Sequence, residues 1–305
     1  MQDTARHWYG FGLSLLTAFM WGVLPVFIKL CLEAMDAPTI TWYRFAFAGL
    51  FVFTFLAKKR ALPVMRSFAS NRGVLLFIAT ALLLFNYVAN VKGLEYLDPQ
   101  TTQVVMQLAP FLLLIGAVFF FGERLKTIEK FGAGLLFFGL LLFFNDRLNS
   151  LFSSLNNFNI GILYVLFAAT TWAAYALMQK PLLRGLTARQ LTMMIYLLGV
   201  VLLFPFVELS QLMQMSTLQL AALIFCCINT IIGYGAFTEA LGVWQAAKVS
   251  AVIALAPVFT FISMWVALWW WPTHFTLSEL DVWAYLGALV VVTGSMLTSL
   301  GRAAK

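Results

Sequence analysis

Long apolar runs separated by short polar breaks make up most of the sequence. About 20 apolar residues in a helix cross the hydrocarbon core of a bilayer, so each run predicts one transmembrane helix. The ten runs are Trp8–Leu32, Pro38–Leu56, Gly73–Val91, Gln100–Phe121, Ile128–Asn145, Ile160–Lys180, Thr187–Val207, Leu218–Thr238, Ala246–Trp271 and Val282–Leu300. The connections are too short for a separate soluble domain. We therefore expect an all-α polytopic membrane protein with ten transmembrane helices.

The composition favours the same class of protein. Of the 305 residues, 62% are hydrophobic and 10% are charged, whereas a soluble domain carries about 25% charged residues. The first apolar run is too long for a signal-peptide core, so we expect it to be retained as a span. The net charge of +7 lies in the loops, which indicates membrane topology rather than nucleic-acid binding. The three cysteines have no metal or redox spacing, and we expect no cofactor and no metal.

The charged residues divide between two alternating sets of loops. The basic set is Arg6, Lys58, Lys59, Arg60, Arg66, Arg72, Arg124, Lys126, Lys130, Arg184, Arg189, Arg302 and Lys305. The opposite loops hold Glu33, Asp36, Glu95, Asp98, Asp146, Glu208, Glu279 and Asp281, with Arg147 as their one clear base. Lysine and arginine are enriched in short cytoplasmic loops. The pattern therefore predicts that both termini are cytoplasmic.

The chain also contains an internal repeat. A shift of 147 residues places Leu255-Ala256-Pro257 on Leu108-Ala109-Pro110 and Tyr234 on Tyr87. A shift of 151 residues places the Trp172 and Lys180 pair on Trp21 and Lys29. We assign residues 1–145 and 160–305 to two five-helix units joined by a connecting loop, 146–159, on the outer side. Since five is odd, the units must have opposite orientations, which is an architecture of many secondary transporters with a central site.

These residues resemble the EamA-type exporters of the drug/metabolite transporter superfamily. The resemblance is carried by Trp21-Gly22, Lys29, Arg44, Leu108-Ala109-Pro110 and, above all, Gly122-Glu123-Arg124. It implies ten helices around a central cavity in a bacterial inner-membrane permease that exports amino acids, toxic compounds or other metabolites. The second half departs from the pattern, because the position aligned with Glu123 is Trp270.

Four charged residues within the spans or at their ends are candidates for function, because ionised side chains inside a bilayer are costly and usually face a cavity. We expect Lys29 and Arg44 to bind a substrate carboxylate, and Lys92 and Glu239 to act at the two gates. The alternative for Lys29 and Lys92 is that the ammonium reaches the membrane surface along a flexible side chain. The alternative for Arg44 is a structural ion pair.

Uncharged polar residues and prolines extend the candidate site. Asn86 and Asn90 share one helix face, as do Gln103 and Gln107, because each pair is four residues apart. We place both pairs in the substrate site together with Tyr87 and Tyr234, and inter-helix hydrogen bonding is the alternative role for the amides. Trp21 and Trp172 are expected to pack or anchor. Pro110 and Pro257 are expected to form matched bends near the two gates.

The resulting hypothesis is an exporter of a small amphipathic metabolite, an amino acid or a related zwitterion or anion. No acidic residue is predicted in the middle of a span, which disfavours a cationic substrate and proton coupling. Alternatives from other classes are a lipid-linked carrier or flippase on the same scaffold, and an intramembrane enzyme, for which no catalytic constellation is visible. The expected partners are a small-molecule substrate and the lipid bilayer, and the sequence leaves a homodimer open.

Overall fold

The computed structural model describes residues 2–63, 70–121, 125–147, 156–183, 185–276 and 280–301. Over these ranges the regular structure is helical, without a β-strand. The α-helices are α1 (Gln2–Cys31), α2 (Ala37–Lys58), α3 (Ser70–Tyr96), α4 (Pro99–Val105), α5 (Leu108–Phe121), α6 (Thr127–Phe143), α7 (Asn157–Leu182), α8 (Ala188–Leu203), α9 (Thr217–Val243), α10 (Ala246–Ile253), α11 (Ala256–Trp270) and α12 (Val282–Gly301). The motif Gly122-Glu123-Arg124 and the loop charges Arg66, Arg184, Glu279, Arg302 and Lys305 lie outside the described residues.

Nine helical stretches of the described chain are long and apolar enough to cross a membrane. Helices α4 and α5 together form one of them, and α10 and α11 together form another. The remaining predicted span, Ile128–Asn145, corresponds to α6, which has 17 residues. Such a helix is about 26 Å long at 1.5 Å per residue, at the lower limit for a span. The chain therefore has nine candidate spans and one shorter apolar helix in its described part.

Several helices begin at a cap that can be recognised in the sequence. The carboxylate of Asp36 accepts a hydrogen bond from the Thr39 amide at 2.8 Å, and Asp98 accepts one from the Thr101 amide at 2.7 Å. Each aspartate is followed by a proline in the first helical turn, where the missing N–H has no consequence. These caps satisfy amide groups that the helix itself cannot pair.

Two of the helices are interrupted at matching places in the two halves. Helix α4 ends at Val105 and α5 begins at Leu108, while α10 ends at Ile253 and α11 begins at Ala256. A proline lacks an N–H group and its ring collides with the carbonyl four residues earlier. For Pro110 and Pro257 that carbonyl belongs to Met106 and Ile253, at the interruptions. The repeated Leu-Ala-Pro sequence thus explains why both helices break.

Three close helix pairs hold the bundle together, and each pair is antiparallel. In the pair of α6 with α12, Gly132 faces Gly294 and Gly139 faces Gly287. A side chain at Gly139 would come within 2.6 Å of the Val291 amide nitrogen, so glycine allows the two backbones to approach. Helix α3 pairs with α7 and α1 pairs with α9. The two pairs α3–α7 and α1–α9 are related by exchange of the two halves.

Candidate functional site

A central cavity of about 550 Å³ lies between the two halves. This volume is within the range of small-molecule sites. Ten of the helices contribute to its wall, either directly or at the two interruptions, whereas α6 and α8 do not. The polar residues of the wall are Arg44, Asn86, Tyr87, Asn90, Gln103, Gln107, Asn229, Thr230, Tyr234, Gln245, Ser250, Thr298 and Ser299. Most of the remaining wall is apolar or aromatic.

Arg44 brings a buried cation to this cavity. Its residue is 4% exposed, and its Nε donates a hydrogen bond to Thr230 Oγ1 at 3.1 Å. Thr230 in turn donates to the Cys226 carbonyl at 2.8 Å, which fixes the hydroxyl oxygen as the acceptor for Arg44. No acidic side chain in the described ranges forms an ion pair with Arg44. The guanidinium is therefore held in position, and no described carboxylate neutralises its charge.

An aromatic ring lies against the guanidinium, and further rings continue along the wall. The Arg44 Cζ atom lies 4.8 Å from the centre of the Tyr87 ring, close enough for a cation–π interaction. The hydroxyls of Tyr87, Tyr196 and Tyr234 lie near one another. Trp21 packs against Tyr234 with 5.3 Å between ring centres. The cavity wall thus combines the cation with aromatic surface that can contact an apolar part of a ligand.

The four predicted amides all line the cavity, but they are bonded differently. The Asn86 Nδ2 donates to the Ala168 carbonyl of α7 at 2.8 Å. The Gln107 Nε2 donates to the Ala254 carbonyl at 3.3 Å, and its Oε1 accepts from Ser295 at 2.7 Å. No hydrogen bond to another described residue is found for the side chains of Asn90 and Gln103. Asn86 and Gln107 therefore link helices, whereas Asn90 and Gln103 keep their amides available to a ligand.

Lys29 lies outside the cavity wall. Its ammonium donates hydrogen bonds to the Leu94 carbonyl and, at 3.0 Å, to the Leu97 carbonyl. Leu94 is in the last turn of α3 and Leu97 directly follows the helix. Carbonyls at this end have no partner within the helix, and the partial charge there is negative. In this geometry the Lys29 ammonium joins α1 to the end of α3 rather than facing the cavity, and a role for Lys29 in substrate binding stays a prediction.

The two charges expected at the gates also lie outside the cavity wall. Lys92 pairs with Glu95 one turn further along α3, with 2.9 Å between Nζ and Oε1. Glu239 of α9 pairs with Arg189 of α8 at 3.2 Å, and both side chains are about half exposed. Exposed ion pairs of this kind contribute little to stability. Neither pair brings Lys92 or Glu239 into contact with the cavity.

The prolines and tryptophans differ from one another in their placement. Pro110 lines the cavity, while Pro257 is buried behind Ala256, which does line it. Trp21 and Trp172, expected only to pack or anchor, are both part of the cavity wall. Their indoles enlarge the aromatic surface beyond the tyrosines.

Sequence reasoning missed Asn229 and Thr230. Asn229 is 1% exposed and its Nδ2 donates to the Met20 carbonyl of α1 at 2.7 Å, while its Oδ1 has no partner in the described structure. Thr230 is the residue that positions Arg44. The available signal was an adjacent polar pair in the middle of the apolar run Leu218–Thr238, which is costly in a membrane unless the pair has partners.

A model of the EamA-like transporter family matches this chain twice, over residues 8–145 and over residues 159–300. The chain belongs to the EamA-like transporter family. With its candidate spans, this makes it a multi-pass membrane protein of a transporter family.

Relatives of known sequence cover nearly the whole chain. It is 41% identical to the "Uncharacterized inner membrane transporter YhbE" of Escherichia coli (strain K12), over 96% of this chain and 92% of that protein. It is 38% identical to an "Uncharacterized transporter" of Haemophilus influenzae, over 96% of this chain and 95% of that protein. A more distant relative is the "Probable amino-acid metabolite efflux pump" of Escherichia coli (strain K12), which is 24% identical over 95% of this chain and 94% of that protein.

One solved crystal structure has the same fold. It superposes with a TM-score of 0.65 over 97% of this chain and 98% of that chain, at 16% sequence identity. At this identity the likeness shows the fold alone.

Proposed function

We propose that this protein is a secondary transporter that exports small amphipathic metabolites with a carboxylate, such as amino acids or related zwitterions and anions, by alternating access. The observation that carries the proposal is the guanidinium of Arg44 in the wall of the central cavity, which has no acidic partner in the described part of the chain. Inside a membrane a charge of this kind is costly, by at least about 2.5 kcal/mol at the centre of a helix. A substrate carboxylate would supply the missing partner.

The proposed mechanism needs two units that can rock against each other around the site. We take α1–α6 as one unit and α7–α12 as the other, in inverted orientation. The double match of the family model supports a duplication. The antiparallel contact of α6 with α12 supports the inversion, because the last helices of two inverted five-span units run in opposite directions. The interruptions before Pro110 and Pro257 provide matched non-helical backbone next to the cavity, as in other transporters of this type.

Export also requires the orientation predicted from the loop charges, with both termini in the cytoplasm. Lys59 would then lie inside and Asp146 outside. A single cysteine at each position, tested with a membrane-impermeant thiol reagent on intact cells, should be labelled only at position 146. The three native cysteines are buried, so the background should be low. Labelling of position 59 in intact cells would rule out this orientation.

The role of Arg44 can be tested by ligand binding to the purified protein in lipid nanodiscs. A panel of carboxylates is first screened by thermal shift, since a bound ligand stabilises the folded protein. For the best ligand, Arg44→Gln should weaken binding about 10- to 150-fold, because a hydrogen bond to a charged group contributes about 1.5–3 kcal/mol. Arg44→Lys keeps the charge and should lose less.

Lys92→Gln is the matched control, because it removes a cation that lies in a span but outside the cavity wall. It should leave the affinity within about twofold of the wild-type value, since an exposed ion pair contributes at most about 1 kcal/mol to the fold and touches no ligand. A folded Arg44→Gln protein that binds carboxylates normally would refute the proposed site. Equal losses in Arg44→Gln and Lys92→Gln would do the same.

A further inference from the structure

The charge balance of the cavity is one-sided. Of the described residues in its wall, Arg44 is the one ionised side chain, and none is acidic. The other polar groups are neutral amides and hydroxyls, among them Asn90, Gln103 and Ser250. A bound molecule thus meets one positive charge and no negative charge from these residues.

We infer that the site selects organic monoanions without an ammonium group over the corresponding amino acids. This inference rests on the proposed function, because it assumes that the substrate carboxylate pairs with Arg44. A monoanion then makes the occupied cavity neutral, which offsets the cost of burying both charges. A zwitterion brings an ammonium into the same cavity as the guanidinium, with only neutral oxygens to accept its hydrogen bonds. Selectivity therefore arises from the penalty on the ammonium.

The neutral part of the wall indicates what else the anion carries. The Tyr87 ring lies against Arg44, and Trp21 packs against Tyr234 in the same cavity wall. These flat apolar surfaces suit an aromatic or branched aliphatic body. The amides of Asn90 and Gln103 can donate to a hydroxyl or keto oxygen, as well as accept from a hydroxyl. A 2-hydroxy or 2-keto acid with an apolar side chain matches this combination of groups.

The same charge balance has a consequence for the driving force. The interior of a bacterium is electrically negative, so the membrane potential favours the exit of an anion by about 50-fold in concentration ratio per 100 mV. A zwitterion gains nothing from the potential. An exporter of monoanions therefore needs no proton-relay carboxylate in its cavity, in keeping with the described wall.

Two matched series of probes test the inference. The aromatic series is 3-phenyllactate, L-phenylalanine and phenethylamine, and the aliphatic series is 2-hydroxy-4-methylpentanoate, L-leucine and isopentylamine. Within a series the apolar body is constant. The first compound carries a hydroxyl and a carboxylate, the second an ammonium and a carboxylate, and the third only an ammonium. Titration calorimetry at pH 7 on the wild-type protein in nanodiscs should show the hydroxy acid binding about tenfold more tightly than the amino acid in at least one series. The amines should not bind.

Variants at position 103 sharpen the test. Gln103→Glu adds a carboxylate to the cavity wall with little change in shape, so the preference for the hydroxy acid over the amino acid should fall at least threefold. This holds whether the new carboxylate pairs with the ammonium or with Arg44, because both remove the excess positive charge. Gln103→Met keeps the length and adds no charge, so any fall in the preference that it causes measures the loss of the amide alone. The fall in Gln103→Glu should be larger than the fall in Gln103→Met.

The outcomes separate the inference from the proposed function. An amino acid that binds as tightly as its hydroxy acid in both series overturns the inference and leaves the carboxylate site standing. Binding of the amines, or of no carboxylate in either series, overturns the proposed function together with the inference. An unchanged preference in a folded Gln103→Glu protein shows that charge balance does not set the selectivity, and so also overturns the inference.

Discussion

The two halves of the protein make equivalent helix contacts but contribute different side chains to the cavity. Asn86 of α3 donates its amide to a carbonyl of α7, and Asn229 of α9 donates its amide to a carbonyl of α1. These bonds are equivalent when the halves are exchanged, although the two asparagines differ by one helical turn in the repeat. Arg44, by contrast, aligns with Leu191 or Ile195, depending on the shift, and both are buried and apolar. Symmetry is retained where helices are joined and lost where a charge faces the cavity.

At the interrupted helices, one pair of aligned positions also differs between the halves, with a polar side chain in the first half and an apolar one in the second. Gln107 and Ala254 are aligned by the shift of 147 residues, and they are bonded to each other, side-chain amide to backbone carbonyl. A carbonyl at a helix interruption has lost its partner within the helix. The first half supplies the polar side chain and the second half supplies the free carbonyl. The departure from sequence symmetry is therefore what allows the two halves to bond across the cavity.

The largest expected effect concerns the glycine contact between α6 and α12, to which both halves contribute. Gly139→Ala and Gly287→Ala would each place a methyl group against the opposite backbone, so each should destabilise the fold by about 1–3 kcal/mol. Gly134→Ala on α6 has open space around it and is the matched control, with little expected change. Thermal unfolding in one detergent compares the three. A large loss of stability in Gly139→Ala with none in Gly287→Ala, or the reverse, would contradict a contact to which both halves contribute equally.

A smaller effect is expected at the two asparagines. Asn86→Leu and Asn229→Leu each remove one inter-helix hydrogen bond, and such bonds contribute about 0.6 kcal/mol on average and at most about 1.7 kcal/mol. The two losses of unfolding free energy should agree within about 0.5 kcal/mol if the bonds are equivalent. The double variant should show the sum, since the bonds join different helix pairs. A cost at only one position would mean that the two helix pairs are not equivalent.

The smallest effect on binding is expected at the proline behind the cavity. Pro257→Ala changes the start of α11 but no residue of the cavity wall, so ligand affinity should stay within about twofold while the initial transport rate changes more. Gln107→Leu should do the reverse, because it removes a polar group from the wall. Affinity in nanodiscs and initial rates in proteoliposomes give both quantities. A Pro257→Ala protein that transports normally but binds poorly would contradict the assignment of transport rate to Pro257 in the second half and of affinity to Gln107 in the first.

Sequence patterns determined the features that depend on local physical chemistry. Apolar runs of membrane length predicted the spans, and the prolines of the repeated Leu-Ala-Pro predicted bends at the places where both helices break. Each of these signals acts through neighbours along the chain. The same periodicity placed Asn86, Asn90, Gln103 and Gln107 on helix faces that do line the cavity. The family also followed from such motifs, although Gly122-Glu123-Arg124 lies outside the described residues.

Only the tertiary structure decided what each charge and each amide does. Lys29 and Arg44 are both cations early in the chain. The Lys29 ammonium donates to carbonyls at the end of α3, whereas Arg44 lies at the cavity without an acidic partner among the described residues. Thr230, which positions Arg44, is 186 residues away in sequence. A hydrogen bond depends on which atoms lie within about 3 Å of each other, and for groups on different helices that distance is set by packing rather than by sequence spacing.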